Sequence, residues 1–322
     1  MNSACVAGLV LSVCMSGGGA QADSNCTIDQ IASLPADFRN GDVRIDVSVS
    51  GQTVKFVVGT GQAFSQAGGA LARRLGLARA NGEALIPSAT GTLERDLVVA
   101  TDFHVGNMAP QSETLVEADG WGDGTGSAPA GLLGQDFFRN YDIELDPTQS
   151  VVNIFLPIAC TGRAAYWWDD HFEIPLSVEP HRAPYTQVVI DGKTLEATIQ
   201  TEEAHSSIDI AEAKRQLGVP SDIEAPLPTS PGVAAPPNPS FAFKELVFGP
   251  ITLRNPKLEL KRYRTVESFG GTHIKDTMAT TAPVVIGMDI LGKFHSMISY
   301  RNDKIYFTLL SERKPVPVAG AK

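Results

Sequence analysis

The chain has 322 residues, enough for two domains with separate cores; 43% are hydrophobic and 19% charged, which excludes a disordered or fibrous protein. The formal net charge is −10 and there is no run of Lys and Arg, which argues against nucleic acid and against an anionic membrane surface as partners. Thirty glycines and 21 prolines favour turns, and therefore strands, over long helices.

Residues 1–22 carry no charged side chain. An apolar run from Cys5 to Met15 is followed by Ala20-Gln21-Ala22. A run of that length ending at an Ala-x-Ala site reads as a cleaved secretory signal and is too short to span a bilayer, although it lacks the usual basic residue at its start. Cys14 sits in a lipoprotein-like context, but Val13 stands where a small residue is needed, so a plain signal is the expectation. A periplasmic or secreted location follows, with no membrane contact after cleavage. Removing the segment leaves Cys26 and Cys160, an even pair that in an exported chain is most simply a disulfide. Closing so long a loop is worth ~4–5 kcal/mol on the chain-entropy estimate; two free buried thiols are the alternative.

The elements that follow occur twice. Val43, Ile45, Val47 and Val49 alternate with polar residues, a Gly51-Gln52 turn comes next, and Val54, Phe56 and Val58 alternate again. Period-2 alternation predicts a hairpin of half-buried strands. At an offset of 141, Thr186, Val188 and Ile190 lead through Asp191-Gly192 to Leu195, Ala197 and Ile199, a second hairpin with a strong turn signal. Gly59-Thr60-Gly61 coincides at that offset with Gln200-Thr201-Glu202. A short helix then ends at Gly76 in the first copy and at Gly218 in the second, each glycine placed for a left-handed cap.

A second matched block lies near the end of each copy, now offset by 153: Leu132-Leu133-Gly134-Gln135-Asp136 and Val285-Ile286-Gly287-Met288-Asp289. Terminal hairpins are expected from Ile143 to Phe155 and from Ile298 to Leu309. The change in offset is assigned to residues 220–240, where 7 of 21 are proline, a surface insertion rather than a domain linker. The linker is residues 161–171, whose Tyr166, Trp167 and Trp168 are expected to pack at the seam between the copies.

The repeated unit resembles the retropepsin-like aspartic protease fold, in the form of exported bacterial proteins that carry two such domains in one chain. The resemblance covers about residues 40–156 and 172–309. It implies a mostly-β protein of two β-barrel lobes in a bilobal pepsin-like arrangement, with a signal at 1–22, a first lobe at 23–160, the linker, and a second lobe at 172–322. It further implies that the two x-Thr-x turns meet, that Thr60 and Thr201 lock them together with Gly61 completing the first turn, and that Leu133, Gly134, Ile286 and Gly287 belong to strands crossing behind them. Thr90 and Gly91 fall where the family has its flap.

In that family each turn carries an aspartate, and the pair shares a proton and activates a water. Here Gly59 and Gln200 hold those positions. Glycine offers no side chain, and glutamine cannot accept the proton of a water. A general acid or base contributes ~10²–10⁴-fold, so losing both carboxylates removes most activity. The expectation is therefore a catalytically inactive homologue, a pseudoprotease that binds an extended peptide in the groove between its lobes. Two alternatives stand beside it: an active aspartic endopeptidase using a displaced acid such as Glu202, and a structural module that binds nothing. Asp136 and Asp289 read as helix-capping or turn residues.

Other chemistries have little support. The six histidines show no ligand spacing, no nucleophile elbow or phosphate loop is present, and Glu117, Asp119 and Asp123 read as a solvated acidic loop rather than a calcium site. No cofactor, no metal and no nucleic acid is expected, and a monomer is.

Overall fold

The structure, a computed structural model, describes residues 29–88, 91–156, 171–179, 183–226, 236–263 and 282–310, with backbone alone for 85–88 and 91–93. The expected leader, Cys26, Cys160, Thr90 and the aromatic residues Tyr166, Trp167 and Trp168 lie outside the described residues.

The first half runs β1 (Gln30–Asp37), β2 (Arg44–Val49), β3 (Gln52–Val58), β4 (Gln66–Gly68), α1 (Gly69–Leu75), β5 (Ala78–Ser88), β6 (Gly91–Val105), β7 (Gln111–Ala118), β8 (Gly131–Leu133), α2 (Gln135–Phe138), β9 (Asp142–Asp146) and β10 (Val151–Phe155). The second half follows with β11 (Phe172–Pro175), β12 (Tyr185–Ile190), β13 (Lys193–Ile199), β14 (Ser207–Asp209), α3 (Ile210–Leu217), β15 (Ser240–Ala242), β16 (Glu245–Phe248), β17 (Ile251–Arg254), β18 (Lys257–Lys261), β19 (Val284–Ile286), α4 (Met288–Leu291), β20 (Phe294–Ser299) and β21 (Lys304–Leu309). The protein is mostly β and two-lobed, as expected. Among the described residues no helix is long and apolar enough to cross a membrane.

The two repeat hairpins form as their alternation predicts. Val43, Ile45, Val47 and Val49 are buried, as are Val188, Ile190, Leu195 and Ala197. The first turn sits one residue earlier than the sequence suggested: Val49 pairs with Gln52, so the turn is Ser50-Gly51, with φ of 50° and 72°. Its counterpart, Asp191-Gly192, has 47° and 79°. Positive φ at both central residues is the twist that two-residue hairpins favour, and an aspartate or serine before glycine accommodates it. Both repeat helices end in a left-handed glycine, Gly76 and Gly218.

Each hairpin then receives a parallel partner from far along the chain. In the first lobe β3 pairs with β8, which pairs in turn with β4; in the second, β13 pairs with β19 and β19 with β14. The strand leaving each hairpin is thus held against the later apolar block, and the turns at 59–61 and 200–202 emerge side by side at the lobe boundary.

The terminal hairpins do not simply end their own lobes. β9 of the first pairs with β20 of the second, and the six strands β11-β21-β20-β9-β10-β1 form a sheet shared by both halves. β1 bends from this sheet into the first lobe, pairing with β10 through Pro35 and with β2 from Ala36. Beneath it, Phe307 packs on Phe248 and Phe294, with ring centroids 5.6 and 5.1 Å away. Along the Pro-rich insertion, the described residues 220–226 and 236–239 belong to no helix or strand.

Candidate functional site

The two turns meet between the lobes and are tied by a reciprocal pair of threonines. Thr60 N donates to Thr201 Oγ1 at 3.3 Å and Thr201 N to Thr60 Oγ1 at 3.1 Å. Each hydroxyl donates across the boundary as well, Thr60 to Ile199 O at 2.7 Å and Thr201 to Val58 O at 2.5 Å. Both threonines are fully buried. Every donor and acceptor in this set is satisfied by the opposite lobe, so separating the lobes would break all four bonds. Val43 N adds a further bond to Thr201 O at 3.2 Å.

Behind the turns lie β8 and β19. Gly59 N donates to Leu133 O at 2.8 Å and Gln200 N to Ile286 O at 3.0 Å. Gly134 and Gly287 are glycines for a steric reason. A Cβ on Gly134 would lie 2.6 Å from the carbonyl carbon of Phe64, and one on Gly287 would lie 2.7 Å from Glu203 O. Both obstacles are backbone, which cannot swing aside.

Asp136 and Asp289 are not helix caps. The N-caps of α2 and α4 are Gly134 and Gly287, with no side-chain capping bond. Instead Asp136 accepts from Ser65 N at 2.8 Å and from its hydroxyl at 2.7 Å, and Asp289 does the same for Ser206, at 2.9 and 2.6 Å. Each serine oxygen in turn accepts from the glycine N–H, of Gly134 or Gly287, at 2.9 Å. Two matched Gly–Ser–Asp relays therefore brace the chain where it returns from each turn. The serines were overlooked in the sequence, yet Ser65 and Ser206 fall on the same 141-residue offset as the turns.

At the front of the turns the symmetry fails. Gly59 is buried, and a Cβ there would lie 2.6–2.7 Å from three atoms of the Leu132 side chain, so Leu132 fills the space a side chain at 59 would need. Gln200 is 8% exposed and its amide nitrogen donates to Thr198 Oγ1 at 3.0 Å. Glu202 reaches across the boundary: its two carboxylate oxygens lie 3.0 and 3.2 Å from Gly61 N, and Gln62 Nε2 is 3.4 Å from the first. A Cβ on Gly61 would meet Gln200 Cγ at 2.4 Å and Glu202 Oε1 at 2.5 Å. At Gly61, where the first lobe has no side chain, the second lobe thus inserts two long polar ones. On the far side, Gln135 Nε2 donates to Thr60 O at 2.5 Å and to the hydroxyl of Tyr300 at 3.1 Å, and burial holds that phenol above its usual range.

Burial pushes the Glu202 carboxyl up to about 7; bonds from its own N–H, the Gly61 N–H and Gln62 oppose the rise, and the charge of Glu203 adds to it. Glu203 itself is paired with Lys261 at 2.8 Å. Glu202 is therefore a single acid that can hold or release a proton near neutrality, and its hydrogen-bonding side-chain partner is an amide rather than a second carboxylate. Gly91 opens β6 opposite Ser88, at the tip of the long hairpin β5–β6. Among the described residues no cluster of His, Cys, Asp and Glu is arranged to hold a metal ion; Glu117 and Asp119 lie beside Arg73 and Arg95, at 3.8 and 2.9 Å.

Residues 45–137, from β2 into α2, match the family model described as aspartyl protease. That is under a third of the chain, and the match lies in the first lobe. No curated protein matches. Among solved structures the chain is similar to the aspartic proteinase from Irpex lacteus, at 11% identity over 86% of this chain and 97% of that one, with a TM-score of 0.47.

Proposed function

We propose that this protein is a non-hydrolysing relative of the aspartyl proteases, exported from the cytoplasm, which holds an extended polypeptide segment between its lobes without cutting it. The observation that carries the reading is the filling of the two acid positions. Gly59 has no side chain and Leu132 occupies its space, while the Gln200 amide is bonded to Thr198. Two-carboxylate hydrolysis needs one group to take a proton from water while the other gives one to the carbonyl oxygen. Glu202 could serve in one of those roles, but it is already bonded to Gly61 N and has no acidic partner in its hydrogen-bonding set.

The binding half of the proposal draws on what the fold retains. The turns are braced by the threonine lattice and both Gly–Ser–Asp relays. The β5–β6 hairpin offers an edge strand, since β5 ends its sheet. Exposed edges take up extended peptides through main-chain hydrogen bonds.

The experiment is capture of a mixed peptide library on the immobilised mature protein, with the eluate read by mass spectrometry. Retention of a subset of peptides at full length supports the proposal. Retention of none overturns the binding half, and recovery of cleavage products overturns the other.

A further inference from the structure

The floor between the turns holds an arrangement that neither the brace nor the lost chemistry uses. Glu202 is half-buried beside neutral donors alone: Gly61 N, Gln62 Nε2 and its own N–H. It forms no ion pair with any described Lys, Arg or His, although its neighbour Glu203 has Lys261 at 2.8 Å. A carboxylate partly withdrawn from water with no cation beside it is costly, and such groups concentrate at functional sites.

Two amides complete the set. Gln62 spends its nitrogen on Glu202 and Gln200 spends its nitrogen on Thr198, so each turns its carbonyl oxygen elsewhere. Neither oxygen accepts a hydrogen bond from a described residue, and neither is among the buried polar atoms left without a partner, so both remain open to solvent. The side chains of Gln62, Gln200 and Glu202 come from the two opposed turns and carry one charged and two neutral acceptors. An alkylammonium group has one positive charge and three N–H donors.

We infer that Glu202, with the amide oxygens of Gln62 and Gln200, forms a receptor for a protonated primary amine, so that the bound segment presents a lysine side chain or a free amino terminus between the lobes. This rests on the peptide-binding reading for the source of the amine, but not for the amine site itself. Binding supplies the cation that the half-buried carboxylate lacks and places each ammonium proton on an oxygen. A neutral or acidic side chain of the same length leaves Glu202 as costly as before and buries the two amide oxygens unsatisfied.

The test has two arms at pH 8, where Glu202 is ionised in the free protein. In the first, n-butylammonium is titrated against the native protein, Glu202→Gln and Glu203→Gln, and the melting temperature is followed. The inference expects a concentration-dependent rise in the native protein and in Glu203→Gln, and none in Glu202→Gln. The second arm measures fluorescence anisotropy of end-blocked seven-residue peptides with a central lysine, acetyl-lysine or arginine, beside a lysine-free peptide with an unblocked amino terminus. Lysine should bind about tenfold more tightly than acetyl-lysine, with the preference abolished by Glu202→Gln. The unblocked peptide tells an amino terminus from a side chain as the source.

Amine stabilisation without any peptide binding would uphold the receptor and overturn the peptide-binding reading. Equal binding of lysine and acetyl-lysine, or an amine response that survives Glu202→Gln, would overturn the receptor and leave the peptide reading standing.

Discussion

Replacing Glu202 by glutamine should make the protein more stable at pH 8 and change it little at pH 4.5. The carboxyl is held at about 7 in the fold, chiefly by burial, against an ordinary value of 4.5. A group whose folded value is raised binds its proton more tightly in the native state than in the unfolded chain. Its contribution is therefore fully present below about 4.5 and is lost as pH rises through 7. A difference of that size corresponds to roughly 3 kcal/mol, at about 1.4 kcal/mol per pH unit. Glutamine mimics the protonated acid and keeps an oxygen for Gly61 N. Urea unfolding of both proteins at intervals from pH 4.5 to 8 measures the effect. Glu113, also pushed up to about 7 by burial and by the charge of Asp136, titrates in both proteins and cancels in the comparison. Parallel stability profiles for native and Glu202→Gln protein would refute the claim that burial of this carboxyl outweighs its hydrogen bonds.

Three further outcomes are expected. Thr60→Val and Thr201→Val should each cost about 1–3 kcal/mol by leaving buried partners unsatisfied, and the double mutant should cost less than their sum, because the first change already breaks the shared lattice; additive losses in urea unfolding would count against the reciprocal bonding. Gly59→Asp should destabilise by about 1–3 kcal/mol through overlap with Leu132, a loss partly recovered by adding Leu132→Ala. A native-like melting temperature for Gly59→Asp alone would show that the space is not filled. Gly287→Ala should cost at least about 2 kcal/mol, since its Cβ would press on Glu203 O, and folding at native stability would contradict that close approach.

Much of the lobe architecture could be read from the sequence because it is written twice. Alternation from Val43 to Val58 and from Thr186 to Ile199 specifies the hairpins, and the recurring Gly76 and Gly218 specify the helix caps. The shared sheet was not legible in the same way. β1 carries Gln30, Ser33, Pro35 and Asp37, so neither alternation nor propensity marks it, and its partner lies more than a hundred residues away. β9 reads Asp-Ile-Glu-Leu-Asp, the pattern of a strand with one wet face, yet all five residues are buried. His295 explains part of that: it comes from β20 of the other lobe and sits 2.5 Å from Glu144, which also takes the Asn153 amide at 2.6 Å. Such a partner becomes visible only when two distant strands are laid side by side. In the same way the bare sequence shows that Gly59 has no side chain but not that Leu132 fills the space one would need, and it shows Glu202 beside the turn but not that it crosses to Gly61.

The account stands or falls on the absence of hydrolysis at a floor where Glu202 is the acid between the turns. The most direct measurement is digestion of a mixed peptide library by the mature native protein from pH 3 to 7, with Glu202→Gln run in parallel and products read by mass spectrometry. The account predicts intact peptides from both proteins at every pH. Cleavage by the native protein that Glu202→Gln abolishes would contradict it and make Glu202 a working catalytic acid.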